Sequence, residues 1–289
     1  MTSPTRIPVT GRDGTTIATY RWEPAGSPRA IVQLTHGMGE HLLRYQHLAE
    51  TLTAAGFLVQ GQDHRGHGAT MAGEPGHIGA AGWTALVDDI DVLVQRAHDE
   101  HPDLPLVLFG HSMGSFAAQQ YVLDHSADIT ALVLSGTAAI DLLEPALDLD
   151  APIDLSGFNA PFAPARTDYD WLSRDEAQVD AYIADELCGF GLDAEAGKAM
   201  FHAARALADP ARLAGIRRDL PVYIAVGDMD PVNGQLALSS ALVQRLEAAG
   251  LTDVTSVVYP QARHEILNET NRAEVEADLL AWLDRVVPR

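Results

Sequence analysis

Short, continuous apolar runs alternate with longer stretches in which apolar residues recur every three or four positions. That rhythm predicts buried strands separated by amphipathic helices. The runs at Ala30–Thr35 (AIVQLT), 57–60, 106–109 (LVLF), 131–134 and 222–226 (VYIAV) suit strands covered on both faces, as in a parallel sheet. A last strand is expected at Val254–Tyr259. Helical periodicity predicts helices at 45–55, 83–98, 112–124, 235–249 and 271–287. Ahead of these, residues 7–10 and Thr16–Trp22 flank Gly11-Arg12-Asp13-Gly14 and predict an antiparallel hairpin on the sheet edge. The fold class is therefore α/β, a mostly parallel twisted sheet flanked by helices.

The rhythm breaks between residues 136 and 207, where Pro145, Pro152, Pro161 and Pro164 interrupt the early part and a helix is expected at about 176–187. This segment reads as an inserted helical cap, with residues 1–135 and 208–289 forming the core. It carries fourteen acidic against four basic side chains. The whole chain of 289 residues has a formal charge of −21, which repels phosphate backbones and anionic lipid surfaces. Nucleic acid is excluded as a partner on that ground, and stable membrane docking is not expected. The single cysteine, Cys188, cannot form an internal disulfide, and the first ten residues lack the apolar stretch of a secretory signal. No apolar run approaches the roughly 18 residues of a membrane span. A soluble, cytoplasmic protein is expected, its oligomeric state left open.

Directly after the strand at 106–109 comes Gly110-His111-Ser112-Met113-Gly114, a G-x-S-x-G, followed by a helical pattern. Glycines allow a cramped strand-to-helix turn that lifts the serine hydroxyl above the sheet. Serine is a poor nucleophile at neutral pH and needs a base that is itself oriented by a carboxylate. Both partners follow at strand ends: Asp230 in Gly227-Asp228-Met229-Asp230-Pro231, and His264 in Ala262-Arg263-His264-Glu265. Asp228 is the rival acid, closer to the end of its strand. An acyl-transfer site also needs donors for a developing oxyanion. The N–H of Met113, after the serine, is one; the N–H of Met38, in the glycine-rich turn His36-Gly37-Met38-Gly39-Glu40-His41, is the best candidate for the second.

As a set, HGMGEH at 36–41, DHRGHG at 63–68, GHSMG at 110–114, G-x-x-D at 227–230 and His264 resemble the monoacylglycerol lipase and lysophospholipase branch of the α/β-hydrolases. The similarity runs from about Asp13 to Leu283, and residues 170–190 resemble bacterial lysophospholipase-like members. It implies an α/β-hydrolase fold with Ser112, Asp230 and His264 as triad and Met38 and Met113 as oxyanion donors, the same residues that spacing selects. Two departures stand out. Ser115 occupies a position where this branch commonly has a second glycine, and residues 136–161 are shorter and more acidic than lipid-docking lids.

The expected activity is hydrolysis of small carboxylic esters of short to medium acyl length through an acyl-enzyme, with no cofactor and no metal. Amide or peptide hydrolysis is the alternative, because serine aminopeptidases share the architecture and an acidic cap suits a substrate amine. His36, His41, His64 and His67 lie in two loops expected to be neighbours, but no zinc-binding pattern accompanies them. They are read as structural, with Asp63 and Arg65 as a local ion pair. Cys188 is read as an inert small apolar residue. Trp171, Phe158, Phe162 and Phe190 form either an apolar wall over Ser112 or a small core of the cap.

Overall fold

The computed structural model describes residues 3–287. Strands β1 (Thr5–Thr10) and β2 (Thr16–Trp22) form the expected hairpin, Thr10 opposite Thr16. Strands β3 (Ala30–Thr35), β4 (Phe57–Gln62), β5 (Leu106–His111), β6 (Ala131–Ser135), β7 (Val222–Gly227) and β8 (Val254–Tyr259) complete one eight-stranded sheet. The order across it is β1-β2-β4-β3-β5-β6-β7-β8, antiparallel as far as the β2–β4 pair and parallel from β4 to β8. The chain winds outward from β3 to one side and from β5 to the other. The C-terminal ends of β3 and β5 therefore flank a topological switch point, where open α/β sheets leave a crevice for ligands.

Successive residues of the buried strands face opposite sides. Ile31, Leu58, Leu108, Leu132 and Ile224 join one apolar cluster, whereas their neighbours Val32, Val59, Val107, Val133 and Tyr223 join another. Helices α1 (Gln46–Ala54), α2 (Gly82–Glu100), α3 (Met113–His125), α4 (Glu176–Ala184), α5 (Ala194–Ala204), α6 (Pro210–Leu213), α7 (Ala237–Ala248) and α8 (Arg272–Val286) supply the two covers. Leu86 of α2, Phe116 of α3 and Leu242 of α7 pack on the first face; Leu52 of α1 and Leu279 of α8 pack on the second. Burial on both faces is why these strands read as unbroken apolar runs rather than as alternating ones.

The connection from β6 to β7 holds short 3₁₀ turns, α4, α5 and α6, and no strand. Part of its acidity has a local cause. Asp154, Asp175, Asp193 and Asp209 stand at helix N-caps, and their carboxylates accept the N–H groups of Ser156, Ala177, Ala196 and Ala211. Its apolar residues Leu155, Trp171, Tyr182, Met200 and Phe201 merge with the first cluster instead of forming a separate core. No helix among the described residues is long and apolar enough to cross a membrane.

Three expectations need correction. Helix α7 begins at Ala237 rather than at 235, because Gln235 and Leu236 hold left-handed backbone (φ 55° and 72°) that no right-handed helix can include. The helix expected to run to 187 stops at Ala184, where Asp185 turns extended. Asp63 and Arg65 do not pair. The turn sends them opposite ways: Asp63 accepts the N–H groups of Leu42 and Ala69, while Arg65 Nε and Nη2 donate to Asp89 at 2.6 and 2.9 Å and Nη1 to Asp13 at 2.6 Å. Asp89→Ala should leave the buried guanidinium underpaired and lower stability by about 3 kcal/mol, read as a fall in the urea midpoint at unchanged slope. Arg65→Met combined with Asp89→Leu should recover most of that loss.

Candidate active site

Ser112 sits between β5 and α3 with φ 50° and ψ −123°, a conformation that costs a residue with a Cβ on the order of 1–3 kcal/mol. The neighbouring glycines are dictated by crowding. A Cβ on Gly114 would lie 2.3 Å from the Thr35 carbonyl oxygen, and one on Gly110 would lie 2.6 Å from that of Gly114. The turn is locked from behind as well. Ser112 N–H donates to the Ser135 carbonyl at 2.9 Å, and Ser115 Oγ lies 2.6 Å from the Ser112 carbonyl oxygen and 2.9 Å from Thr137 Oγ1. The Ser115 hydroxyl is thus a hydrogen-bonding brace beneath the turn.

His264 and Asp230 meet. Asp230 Oδ2 lies 2.9 Å from His264 Nδ1, both side chains are buried, and the other carboxylate oxygen accepts the Val232 N–H at 2.9 Å. Asp228 goes elsewhere: it is partly exposed and accepts the Gln261 N–H at 2.6 Å. Burial presses against a charge on His264, but the charge and hydrogen bond of Asp230, with Glu265 and Glu40 beyond, outweigh it and hold the imidazole above its usual range. His111, whose ring centroid lies 4.9 Å from that of His264, is pushed the other way to about 4 by burial and by its histidine neighbour.

Gly37, Met38, Ser112, Met113 and His264 share the wall of one cavity of about 290 Å³. Met113 is the first residue of α3, so its N–H has no partner inside the helix. Glu40 shapes the turn before it by accepting the Gly37 N–H at 2.6 Å and the Tyr45 hydroxyl at 2.7 Å. The far wall comes from the β6–β7 connection, including Leu143, Leu147, Ile153, Phe158 and Trp171. Phe158 and Trp171 therefore do line the space near Ser112. Phe162 instead lies under the guanidinium of Arg263 at 4.5 Å, and Phe190 packs on His67 at 5.1 Å.

The predicted histidine neighbourhood forms in part. His36 and His64 rings stand 4.4 Å apart and His36 and His67 rings 5.4 Å apart, all three buried. His36 Nε2 accepts the His64 N–H at 2.9 Å, and Nδ1 of His36 and of His67 bond to backbone carbonyls. His41 turns away to Asp185 at 2.8 Å. Two other groups, His41 with Asp185 and Cys188 and Asp91 with His125 and Asp128, each bring three possible ligand atoms within 4.8 Å of one another. Burial pushes the Cys188 thiol well up, in keeping with an unreactive apolar side chain. Arg44, Glu265 and Thr137 escaped the sequence reading; only Glu265, adjacent to His264, had a positional signal.

The switch-point crevice, the strained serine turn and the buried imidazole–carboxylate pair define an α/β-hydrolase. Residues 26–271 match the family described as serine aminopeptidase S33. The chain is 36% identical over 280 residues to a monoacylglycerol lipase of Mycolicibacterium smegmatis, covering 94% of each, and 29% identical to the mouse monoglyceride lipase, covering 89% of this chain and 82% of that one. A thermostable carboxyl esterase of Bacillus coagulans, solved with glycerol, superposes with a TM-score of 0.88 at 26% identity, over 99% of this chain and 100% of that one. The chain accordingly belongs to the serine aminopeptidase S33 family and within it to the monoacylglycerol lipase-like α/β-hydrolases, and it is a carboxylic-ester hydrolase.

His36, His64, His67 and His111 share one consequence. Burial holds each below its usual range, to about 4 for His67 and His111, and neighbouring histidines add to it for His36, His64 and His111. In the unfolded chain they take up protons near pH ~6.5, whereas in the folded one they do so only well below it. Their contribution to stability is therefore complete above about pH 6.5 and declines as pH falls toward 4, at up to ~1.4 kcal/mol per unit for each. The melting temperature should drop between pH 7 and 5, and His67→Gln should flatten that slope.

Proposed function

We propose that Ser112, His264 and Asp230 are nucleophile, base and orienting acid, and that the Met38 and Met113 N–H groups bind the oxyanion. The observation that carries this reading is the 2.9 Å contact between His264 and Asp230 on the wall of the cavity that Ser112 enters from its strained turn. Ser112 Oγ attacks the ester carbonyl while His264 Nε2 takes its proton, and Asp230 supports the resulting imidazolium. Collapse of the tetrahedral intermediate breaks the bond to the alcohol, which leaves with the proton held by His264. Water, deprotonated by the same imidazole, then releases the acid from the acyl-enzyme. These steps need no cofactor or metal.

The substrates proposed are monoacylglycerol- or lysophospholipid-like esters of short to medium acyl length. A cavity of about 290 Å³ is at the small end of the ~300–1,000 Å³ typical of ligand pockets, and its far wall is largely aliphatic and aromatic. Residues 136–207 act as a cap over it. Asp141, Glu144, Asp148, Asp150 and Asp154 recur through the most apolar part of that cap, so stable docking on anionic membranes is not expected. A cytoplasmic location is proposed, supported by a chain whose single cysteine cannot form an internal disulfide. One observation favours amide hydrolysis as a second reading: Asp148 and Asp154 line the same cavity and could hold a substrate ammonium.

A panel of p-nitrophenyl esters, monoacylglycerols, lysophospholipids and aminoacyl amides separates the two readings. Esters should turn over and amides should not. Ser112→Ala should lose ester turnover by several orders of magnitude while folding normally, and a fluorophosphonate adduct on any other residue would refute the assignment. Asp230→Asn should cost on the order of 10⁴ in kcat and Asp228→Asn far less. Because the base works only when neutral and Asp230 raises its pKa, the acidic limb of kcat/KM should lie above pH ~6.5. Co-sedimentation with anionic liposomes at ~0.15 M salt, where screening leaves only short-range forces, should be absent.

A further inference from the structure

The oxyanion turn follows β3 and the His264 loop follows β8, two strands separated in the sheet by β5, β6 and β7. Neighbouring-strand hydrogen bonds therefore cannot fix the distance between Met38 and His264. A buried ionic cluster spans the gap. Arg44 Nη1 donates to Glu40 Oε2 at 2.6 Å and to Glu265 Oε1 at 2.6 Å, and Nη2 donates to Glu265 Oε2 at 2.7 Å. The guanidinium carbon stands 4.8 Å from the centre of the Tyr182 ring.

Each carboxylate is also tied to its own loop. Glu40 Oε1 takes the N–H of Gly37, the residue before Met38, and the hydroxyl of Tyr45; Glu265 Oε2 takes the side-chain amide of Asn268 at 2.8 Å. The backbone of the histidine loop is held separately, His264 N–H to the Trp171 carbonyl at 3.3 Å and Glu265 N–H to that of Leu172 at 2.7 Å. Side-chain exposure is 4% for Glu40, 7% for Glu265 and 11% for Arg44. Two anions and one cation buried this deeply carry a desolvation cost that well-packed apolar residues would avoid, so stability alone is a weak reason for the cluster.

We propose that Arg44, with Glu40 and Glu265, is a positioning cluster that sets the oxyanion turn and the His264 loop at their working separation and leaves one net negative charge behind the imidazole. This inference rests on the proposed roles of Ser112, His264 and Met38. The fork of Arg44 matters as well as its charge, because only a planar guanidinium can satisfy one carboxylate with two nitrogens while reaching the second. The net charge acts on the imidazolium formed when His264 takes the serine proton. The groups facing that ring are Asp230 from the turn after β7, His111 from the end of β5, Glu265 on its own loop and Glu40 on the oxyanion turn, with Arg44 between the two glutamates. Asp230 acts most strongly, followed by Glu265 and then Glu40, all in favour of the charged ring.

The test uses the full-length protein and p-nitrophenyl butyrate, a substrate too short to depend on the far wall. Arg44→Lys keeps the charge and removes the fork. It should lower kcat by about tenfold to a hundredfold, the scale of an ångström-sized misplacement, while KM changes by less than about threefold. The rate of fluorophosphonate labelling of Ser112 should fall in parallel. Glu265→Gln keeps the shape and removes a charge, and should move the acidic limb of kcat/KM to lower pH; Glu265→Asp should return it toward its original position. A lowered melting temperature with unchanged kcat, labelling rate and pH limb would make the cluster merely structural and overturn the proposal. If Arg44→Lys does not fold, the Glu265→Gln limb decides alone, an unmoved limb counting against it. Ser112→Ala with retained turnover would refute the nucleophile assignment instead, an outcome separate from any of these.

Discussion

The close approach of β3, β5 and α3 at Gly110 and Gly114 is the constraint on which the site depends. With no Cβ on Gly114, the end of the Thr35–His36 backbone can press against the start of α3. That contact brings the glycine-rich turn at 36–41 to the same edge as Ser112 and directs both toward one cavity. It also forces Ser112 into positive φ, a strain held by the Ser135 carbonyl, the Ser115 hydroxyl and the packed start of the helix. The local cost is tolerated because the surrounding sheet, covered on both faces, over-determines the geometry.

Around that turn the electrostatics divide the histidines. Four buried rings are driven neutral by desolvation, and one, His264, is held toward its charged form by carboxylates. Burial is common to all five; a buried carboxylate bonded to the ring is particular to His264 among them. The same criterion separates Asp230 from Asp228, which lies two residues away but bonds to a backbone N–H on the partly exposed side of the turn. One imidazole in a region rich in imidazoles is thus held toward its charged form.

The long β6–β7 connection combines two characters that composition alone would set in conflict. Its aliphatic and aromatic residues join the main apolar cluster and wall the cavity, while many of its acidic residues cap short helices or pair at the surface, as Asp150 does with Lys198 and Glu144 with Arg205. Acidity and an apolar interior coexist because they belong to opposite sides of the same short elements. Of the carboxylates that line the cavity, Asp148 and Asp154 come from this connection, whereas Glu40 and Glu265 come from the sheet-edge loops and are joined by Arg44.

Much of this was legible along the chain. Unbroken apolar runs announced the parallel strands, because burial on both faces removes polar alternation, and G-x-S-x-G after such a run located the turn, because its glycines answer a local steric demand. The order of Ser112, Asp230 and His264, each after a strand, marked one edge of the sheet. The choice between Asp228 and Asp230, the partner of Arg65, the split of the aromatics between cavity wall and packing, and the joining of Glu40 to Glu265 through Arg44 were decided by tertiary structure. The reason is the same in each case. Sequence periodicity reports which side of an element a residue faces, whereas the identity of the group that meets it there depends on elements tens or hundreds of residues away in the chain.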